Sequence, residues 1–311
     1  MRGIACLGLF LTIILNQAYS QGCSDAGFCT MGAMKPDQPF NKKINLRLRS
    51  MEISLYRATT TLTPVIMVAT TDLNFGINSK TFFQIKLPYQ TASGTLGKTS
   101  GLGDVSLCFT RTLLSTDQFD ISLSLGSKIP TNNSNKKDGD LSLPMYYQTS
   151  LGTYDVITGI SLITSKWLFA TGIQHPLNKN ENEFLWQPWV ERGDHSKAYI
   201  EKYGRANQLK RGTDIMFRVE RNFRYTRWNF AVGLLPIYRL NEETFVNAAG
   251  NEVKQKGTTG LALSGLFNAG YQFNVRSGVR LLAGHKIVQR DVNLDGLSRN
   301  LITTVSYFYR F

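Results

Sequence analysis

Long apolar runs, clustered histidines, cysteines and acidic residues are all scarce in this chain, and each scarcity removes a class of protein. After the first twenty residues no stretch offers about 18 uninterrupted apolar residues, so the chain does not cross a bilayer as helices. Histidine occurs only at positions 175, 195 and 285, far apart, and neither Gly-x-Ser-x-Gly nor His-Glu-x-x-His occurs. No nucleophile stands beside a base, and no enzyme and no cofactor are expected. Of four cysteines, Cys6 lies in the leader, Cys108 sits inside a strand pattern, and Cys23 and Cys29 frame a short loop. In an oxidising compartment the expected outcome is a Cys23–Cys29 disulfide. The alternative is lipidation of Cys23, for which Ser20-Gln21-Gly22 is a poor approach. Acidic residues number 22 against 35 basic ones, a net charge of +13. Such an excess suits nucleic acid, anionic headgroups or an anion-selective lumen.

What is present begins with an export signal. Arg2 supplies a positive start, residues 7–15 an apolar run, and Ala18-Tyr19-Ser20 a small-residue cleavage site before Gln21. Export excludes nucleic acid as a partner, and it leaves a mature chain of 311 less 20, or 291 residues. Residues 21–43 carry Gly, Pro, Lys and Asp without periodicity and are expected to form a periplasmic N-terminal extension.

From residue 44 onward a period of two keeps returning, the mark of a β-strand with unlike faces. Twelve strands are expected, near 44–57, 62–75, 79–89, 102–114, 118–130, 146–163, 166–176, 212–224, 227–240, 257–273, 276–290 and 297–311. Phe119, Ile121, Leu123 and Leu125 alternate with Asp120, Ser122, Ser124 and Gly126. Trp228, Phe230, Val232 and Leu234 alternate with Asn229, Ala231 and Gly233. In the first strand Leu46 and Leu48 are out of phase with Met51, Ile53 and Leu55, which predicts a bulge near Ser50.

The last strand is the most telling. Leu301, Thr303, Val305, Tyr307, Tyr309 and Phe311 share one face, and a final Phe after aromatics two and four residues earlier resembles the closing strand of Gram-negative outer-membrane barrels. That resemblance implies recognition by the barrel-assembly machinery through the strand ending in Phe311. The expected fold is an all-β, transmembrane, antiparallel up-and-down barrel of about twelve strands over residues 44–311, in the cell outer membrane and in contact with its lipid. Connection lengths agree with a periplasmic C-terminus: the turns near 77–78, 115–116, 164–165, 225–226 and 274–275 are short, whereas 90–101, 131–145, 177–211 and 241–256 are long and fall outside. The outer segment 177–211 mixes Trp186, Trp189 and Tyr203 with many charges. A short helix over 197–209 is expected there, in either a solvated cap or a ligand-collecting lid.

Charges at mid-strand are costly toward lipid and belong inside. On this rule Lys86, Lys128, Asp155, Arg218, Glu220, Arg280 and Lys286 are the candidate pore-lining residues, with Gln84 and Asp120 on the same phase. They either select a solute by charge or form cross-strand salt bridges that stiffen the lumen. Arg111 and Arg221 fall instead on the lipid-facing phase near the periplasmic end, within reach of headgroups. His175 and His285 also fall on the outward phase. Asp291-Val292-Asn293-Leu294-Asp295-Gly296 matches the start of a calcium loop, but Arg299 and Ile302 stand where later ligands belong, so a tight polar turn is expected and no metal site.

Gly101-Leu102-Gly103-Asp104 opening a strand, with Lys128-Ile129-Pro130-Thr131 closing the next, resembles the outer-membrane transporter family named for the meta pathway of phenol degradation. The resemblance implies a barrel passing small aromatic or apolar compounds, and brings no catalytic residues. Physically, the glycines permit a tight strand entry and Asp104 can accept from backbone amides. The function expected is passive diffusion of a small solute through a charged lumen. The alternative is a closed structural or adhesive barrel whose outer loops bind a partner.

Overall fold

The computed structural model describes residues 31–35, 47–60 and 62–311. The signal segment, Cys23 and Cys29 lie outside the described residues. In chain order the strands are β1 (Arg47–Thr59), β2 (Val65–Gly76), β3 (Thr81–Gly94), β4 (Gly97–Leu102), β5 (Val105–Ser115), β6 (Phe119–Ile129), β7 (Lys137–Asp138), β8 (Leu141–Ser142), β9 (Asp155–Thr164), β10 (Trp167–Pro176), β11 (Asp214–Arg224), β12 (Trp228–Arg239), β13 (Glu243–Val246), β14 (Glu252–Gln255), β15 (Gly260–Gln272), β16 (Ser277–Val288) and β17 (Leu301–Arg310).

All except β7, β8, β13 and β14 form one antiparallel sheet closed on itself, with β4 and β5 sharing a single position in the wall beside β3. The result is a twelve-stranded barrel. Its seam joins β1 to β17 from Ser50↔Arg310 to Thr59↔Leu301. Among the described residues closure pairs each long wall strand on both sides, so that no wall edge meets hydrocarbon, which would not tolerate one. Alternation then sorts the side chains. In β6, Leu123 and Leu125 face out and are exposed while Ser122 and Ser124 are buried; in β17, Val305 and Tyr307 face out while Ser306 and Phe308 are buried. Leu55, Leu125 and Val305 each keep more than half of their surface exposed, an apolar skin that only lipid satisfies. The pairing of β1 with β2 slips between Leu48 and Ser50, so the bulge forms where the phase change requires it.

Three local expectations are corrected. The segment 90–101 is no loop: β3 and β4 continue the wall upward, paired from Tyr89↔Leu102 to Gly94↔Gly97. Residues 95–96 form the tip, and Leu96 is held under the cap by its N–H donating to Tyr147 Oη at 3.1 Å. Strand β9 starts at Asp155 rather than at 146, because Met145–Tyr147 is a 3-10 turn and residues 148–153 bend through Gly152, whose φ is +70°. The helix expected over 197–209 is one turn, Lys197–Ile200. Beyond its cap at Glu201 the chain turns, and Gly204 passes close to Leu294, where a Cβ would lie 3.0 Å from the Leu294 Cα. A helix the sequence reading missed, Trp186–Arg192, precedes it.

Two apolar clusters fill the interior. The outer one joins the barrel mouth (Tyr56, Ile66, Ala92, Ile302) to the outer connections (Tyr147, Phe184, Trp189, Tyr203, Phe245, Leu294). The inner one packs Met31 and Met34 against Cys108, Ile157, Ala170, Met216, Leu235 and Leu266.

Candidate functional site: the barrel lumen

Residues 31–35, from the stretch expected as a periplasmic extension, lie inside the barrel. Gly32–Met34 makes a single 3-10 turn against β5, β6, β9 and β10. The wall makes room for it with glycines: a Cβ at Gly126 would lie 2.8 Å from Met31 Cε, and one at Gly159 2.6 Å from Met34 Sδ. Four polar contacts, among the described residues, fix this plug. Gly32 N donates to Gln84 Oε1 at 2.8 Å, Arg218 Nη1 donates to the Met34 carbonyl at 3.1 Å, and Lys35 Nζ meets Glu52 and Asp72 at 2.8 and 3.1 Å.

The outer mouth is covered by the cap. Its anchor is the pair of segments whose likeness was noted in the sequence. Lys128 Nζ reaches Asp104 Oδ2 at 3.5 Å and Thr131 Oγ1 donates to the Gly103 carbonyl at 2.5 Å. Asp104 in turn accepts from Ser150 Oγ (2.5 Å) and from the Leu151 amide (3.0 Å), holding residues 148–153 inward over the lumen. Between β4 and β5 the wall stays paired with β3, Gly103 N donating to the Pro88 carbonyl at 2.9 Å.

Between plug and cap lies a cavity of about 150 Å³. Charged side chains line it, among them Lys35, Glu52, Asp72, Lys86, Arg280, Asp104, Asp295 and Arg299, together with apolar ones, Tyr56, Val68, Leu282 and Ile302 with Met145 and Leu151. Of the candidate lining residues, Lys86, Lys128, Arg218 and Arg280 border this cavity and Asp155, Glu220 and Lys286 do not. All are held by neighbours. Lys86 lies 3.9 Å from Asp72, Arg280 3.5 Å from Glu52, and Arg218 2.7 Å from Glu220 on its own strand. Asp155 takes Arg211 at 3.0 Å, and Lys286 donates to Gln289 at 2.8 Å. Gln84 donates to Asp72 at 2.7 Å. The sequence reading missed Glu52 and Asp72, although register carries the signal: Glu52↔Asp72 and Asp72↔Lys86 are direct cross-strand partners on the inward phase.

A second charged group, at the outer rim, was also missed. Arg239 at the end of β12 is buried among three carboxylates, with Asp214 at 2.6 Å, Asp295 at 2.8 Å and Glu243 in contact. Arg290 adds a contact to Asp214 at 3.2 Å. Asp295, from the calcium-like segment, is thus a partner of Arg239. Burial pushes the Glu243 carboxyl up to about 7 despite Arg239. Burial also works against Asp295, but Arg239, Arg290 and Arg211 outweigh it and hold that carboxyl at about 2. His175 and His285 are exposed on the outer wall, and His175 Nδ1 pairs with Thr213 Oγ1 at 2.8 Å.

The chain matches no family model and no curated protein. Among solved structures it is similar to an outer membrane channel from Pseudomonas putida F1, at 13% identity over 88% of this chain and 99% of that one, with a TM-score of 0.59. It also resembles the NanC porin, at 9% identity over 84% of this chain and 100% of that one (TM-score 0.49). A monoaromatic hydrocarbon channel, CymD, aligns at 11% identity over 95% of both chains (TM-score 0.43). At these identities the likeness is one of fold. The fold is that of a barrel of the Gram-negative outer membrane.

Proposed function

We propose that this barrel is a channel for passive passage of a small solute, and that the cavity between plug and cap is the station it occupies on the way. The supporting observation is the cavity itself: about 150 Å³ with a lining that mixes charged and apolar side chains. That volume suits a molecule about the size of one six-membered ring. Six cations, Lys35, Lys86, Lys128, Arg218, Arg280 and Arg299, border it against four carboxylates, Glu52, Asp72, Asp104 and Asp295, and this positive excess beside apolar side chains suits an organic solute bearing an acidic group. The resemblance to the meta-pathway transporters points to compounds of similar size.

The rival reading, a closed barrel that binds a partner through its outer loops, draws on the depth of the cap. Planar-bilayer conductance separates the two. Protein lacking residues 31–35 should conduct more than the intact chain, and Lys86→Glu or Arg280→Glu should shift selectivity toward cations. Well-folded, plug-less protein that conducts nothing would favour the rival.

A further inference from the structure

The periplasmic ends of six consecutive strands, β9 to β12 with β15 and β16, form one arc of the barrel. Three turns close it: residues 165–166, 225–227 and 273–276. This arc and the strand ends beside it carry Lys166, Arg221, Arg224, Arg227 and Arg276, and residues 164–168, 221–229 and 271–278 contain no carboxylate. The neighbouring turn between β5 and β6 differs, because Asp117 stands in it. Large aromatics interleave the cations. Trp167, Phe223, Tyr225, Trp228 and Phe273 are each at least 40% exposed on this arc.

Arg221 is the most specific part. Its phase on β11 points it out through the wall, beside Trp167 of β10, and its guanidinium lies 5.1 Å from the Trp167 ring centroid and 5.5 Å from that of Phe223. Stacking on two rings at headgroup depth holds the charge in place. Its Nη1 is shielded from water and has no hydrogen-bond acceptor among the described residues. Arg221 as a whole is partly exposed, and its uncovered part, held at the bilayer surface, is open to an acceptor from the membrane.

We propose that the arc formed by Arg221, Arg224, Arg227, Lys166 and Arg276 with Trp167 and Trp228 is a binding site for the phosphate of anionic phospholipids in the periplasmic leaflet. It rests on the orientation in which the short turns face the periplasm, and is independent of whether the lumen conducts. Cations near a membrane surface each strengthen binding of anionic lipid by about fivefold, while the rings occupy the interface between tail and headgroup.

Native mass spectrometry of the full-length protein in detergent, given equimolar phosphatidylglycerol and phosphatidylethanolamine, tests this. The wild type should retain phosphatidylglycerol preferentially. Arg221→Gln alone should cut that preference about fivefold, and Arg221→Gln with Arg224→Gln and Arg227→Gln should abolish it. Lys197→Gln with Lys202→Gln, on the outer cap, should leave it unchanged. Heat-modifiable migration on gels verifies that each variant is folded, and the single variant keeps the test informative should the triple one misfold. Equal retention of both lipids by the wild type, or an unchanged preference in the folded Arg221→Gln variant, would overturn the proposal. So would displacement by millimolar inorganic phosphate, which marks a site for free anions, or preferential retention of lipopolysaccharide, which marks the opposite leaflet.

Discussion

The cap and the plug meet one lumen from opposite ends, the cap with large buried side chains and paired charges, the described plug residues, 31–35, with two buried methionines and contacts to single polar groups of the wall. In the cap, Trp189 is 1% exposed and donates its Nε1–H to the Ser142 carbonyl at 2.7 Å, and Trp186 Nε1 does the same to Tyr203 O. Each such ring stabilises by about 2–3 kcal/mol once its N–H is satisfied. Tyr147, Tyr199 and Tyr203 converge their hydroxyls on Thr63 at 3.3, 2.8 and 3.3 Å, tying the cap to the β1–β2 connection. The plug has two buried methionines, a glycine amide bond, one carbonyl contact and one lysine. Segments with few buried contacts open at lower free energy than the elements around them. On this comparison residues 31–35 are expected to leave the wall before the cap does.

Breaking the cap should take the removal of Arg239. In Arg239→Leu, Asp214, Glu243 and Asp295 lose their shared guanidinium while still buried, at a cost of about 3–5 kcal/mol. Limited proteolysis should then cut the outer connections 177–213 and 240–259 much faster, with the barrel still heat-modifiable. Unchanged protection would mean that the aromatic cluster alone holds the cap.

A slightly smaller effect is expected from pH. Glu243 has its folded value raised from the ordinary 4.5 to about 7. A raised carboxyl favours the folded cap while it is neutral, so that contribution is complete below about 4.5 and is lost as pH rises through about 7. The change amounts to roughly 3 kcal/mol across this window. Amide exchange in β13 and β14 should therefore accelerate between pH 5 and 8, and Glu243→Gln should flatten the dependence. Exchange that slows with rising pH, after correction for its intrinsic rate, would reverse the assignment.

Legibility followed the range of the forces involved. Strands β6, β12 and β17 were readable because lipid on one side and packed polar lumen on the other impose a period of two on neighbouring residues. The Ser50 bulge was readable as a slip in that period. The inward bend of 148–153 was not, since Tyr147, Thr149, Leu151 and Thr153 alternate as a strand would, and what bends them is Asp104, nearly fifty residues away. The tip at 95–96 reads as a loop from its glycines and threonines, yet backbone pairing needs no apolar side chain. Inward charges were legible from the cost of facing lipid, but their partners depend on barrel register. The plug has no periodicity at all, and its fit is written in glycines on other strands, Gly126 and Gly159.

The sharpest probe of the difference between the two closures is Gly32. Its φ is +49°, and a Cβ there would lie 2.5 Å from both Ser124 Oγ and Thr110 Oγ1 and 2.6 Å from Cys108 Sγ. Gly32→Val therefore meets a steric cost of about 1–3 kcal/mol against the wall and a further 1–2 kcal/mol for a branched residue in the left-handed region. Residues 31–35 should leave the lumen while the wall, whose own side chains are untouched, stays closed. Cys108 reports the event, because its thiol is 1% exposed behind the plug. Its alkylation by a small thiol reagent, followed by mass on the Cys108 peptide, should speed up tenfold or more, as about 1.4 kcal/mol is worth a factor of ten. Arg239→Leu, which loosens the cap alone, should leave Cys108 as protected as in the wild type. If Gly32→Val leaves Cys108 protected, the plug is held as firmly as the cap and the lumen has no light closure to move.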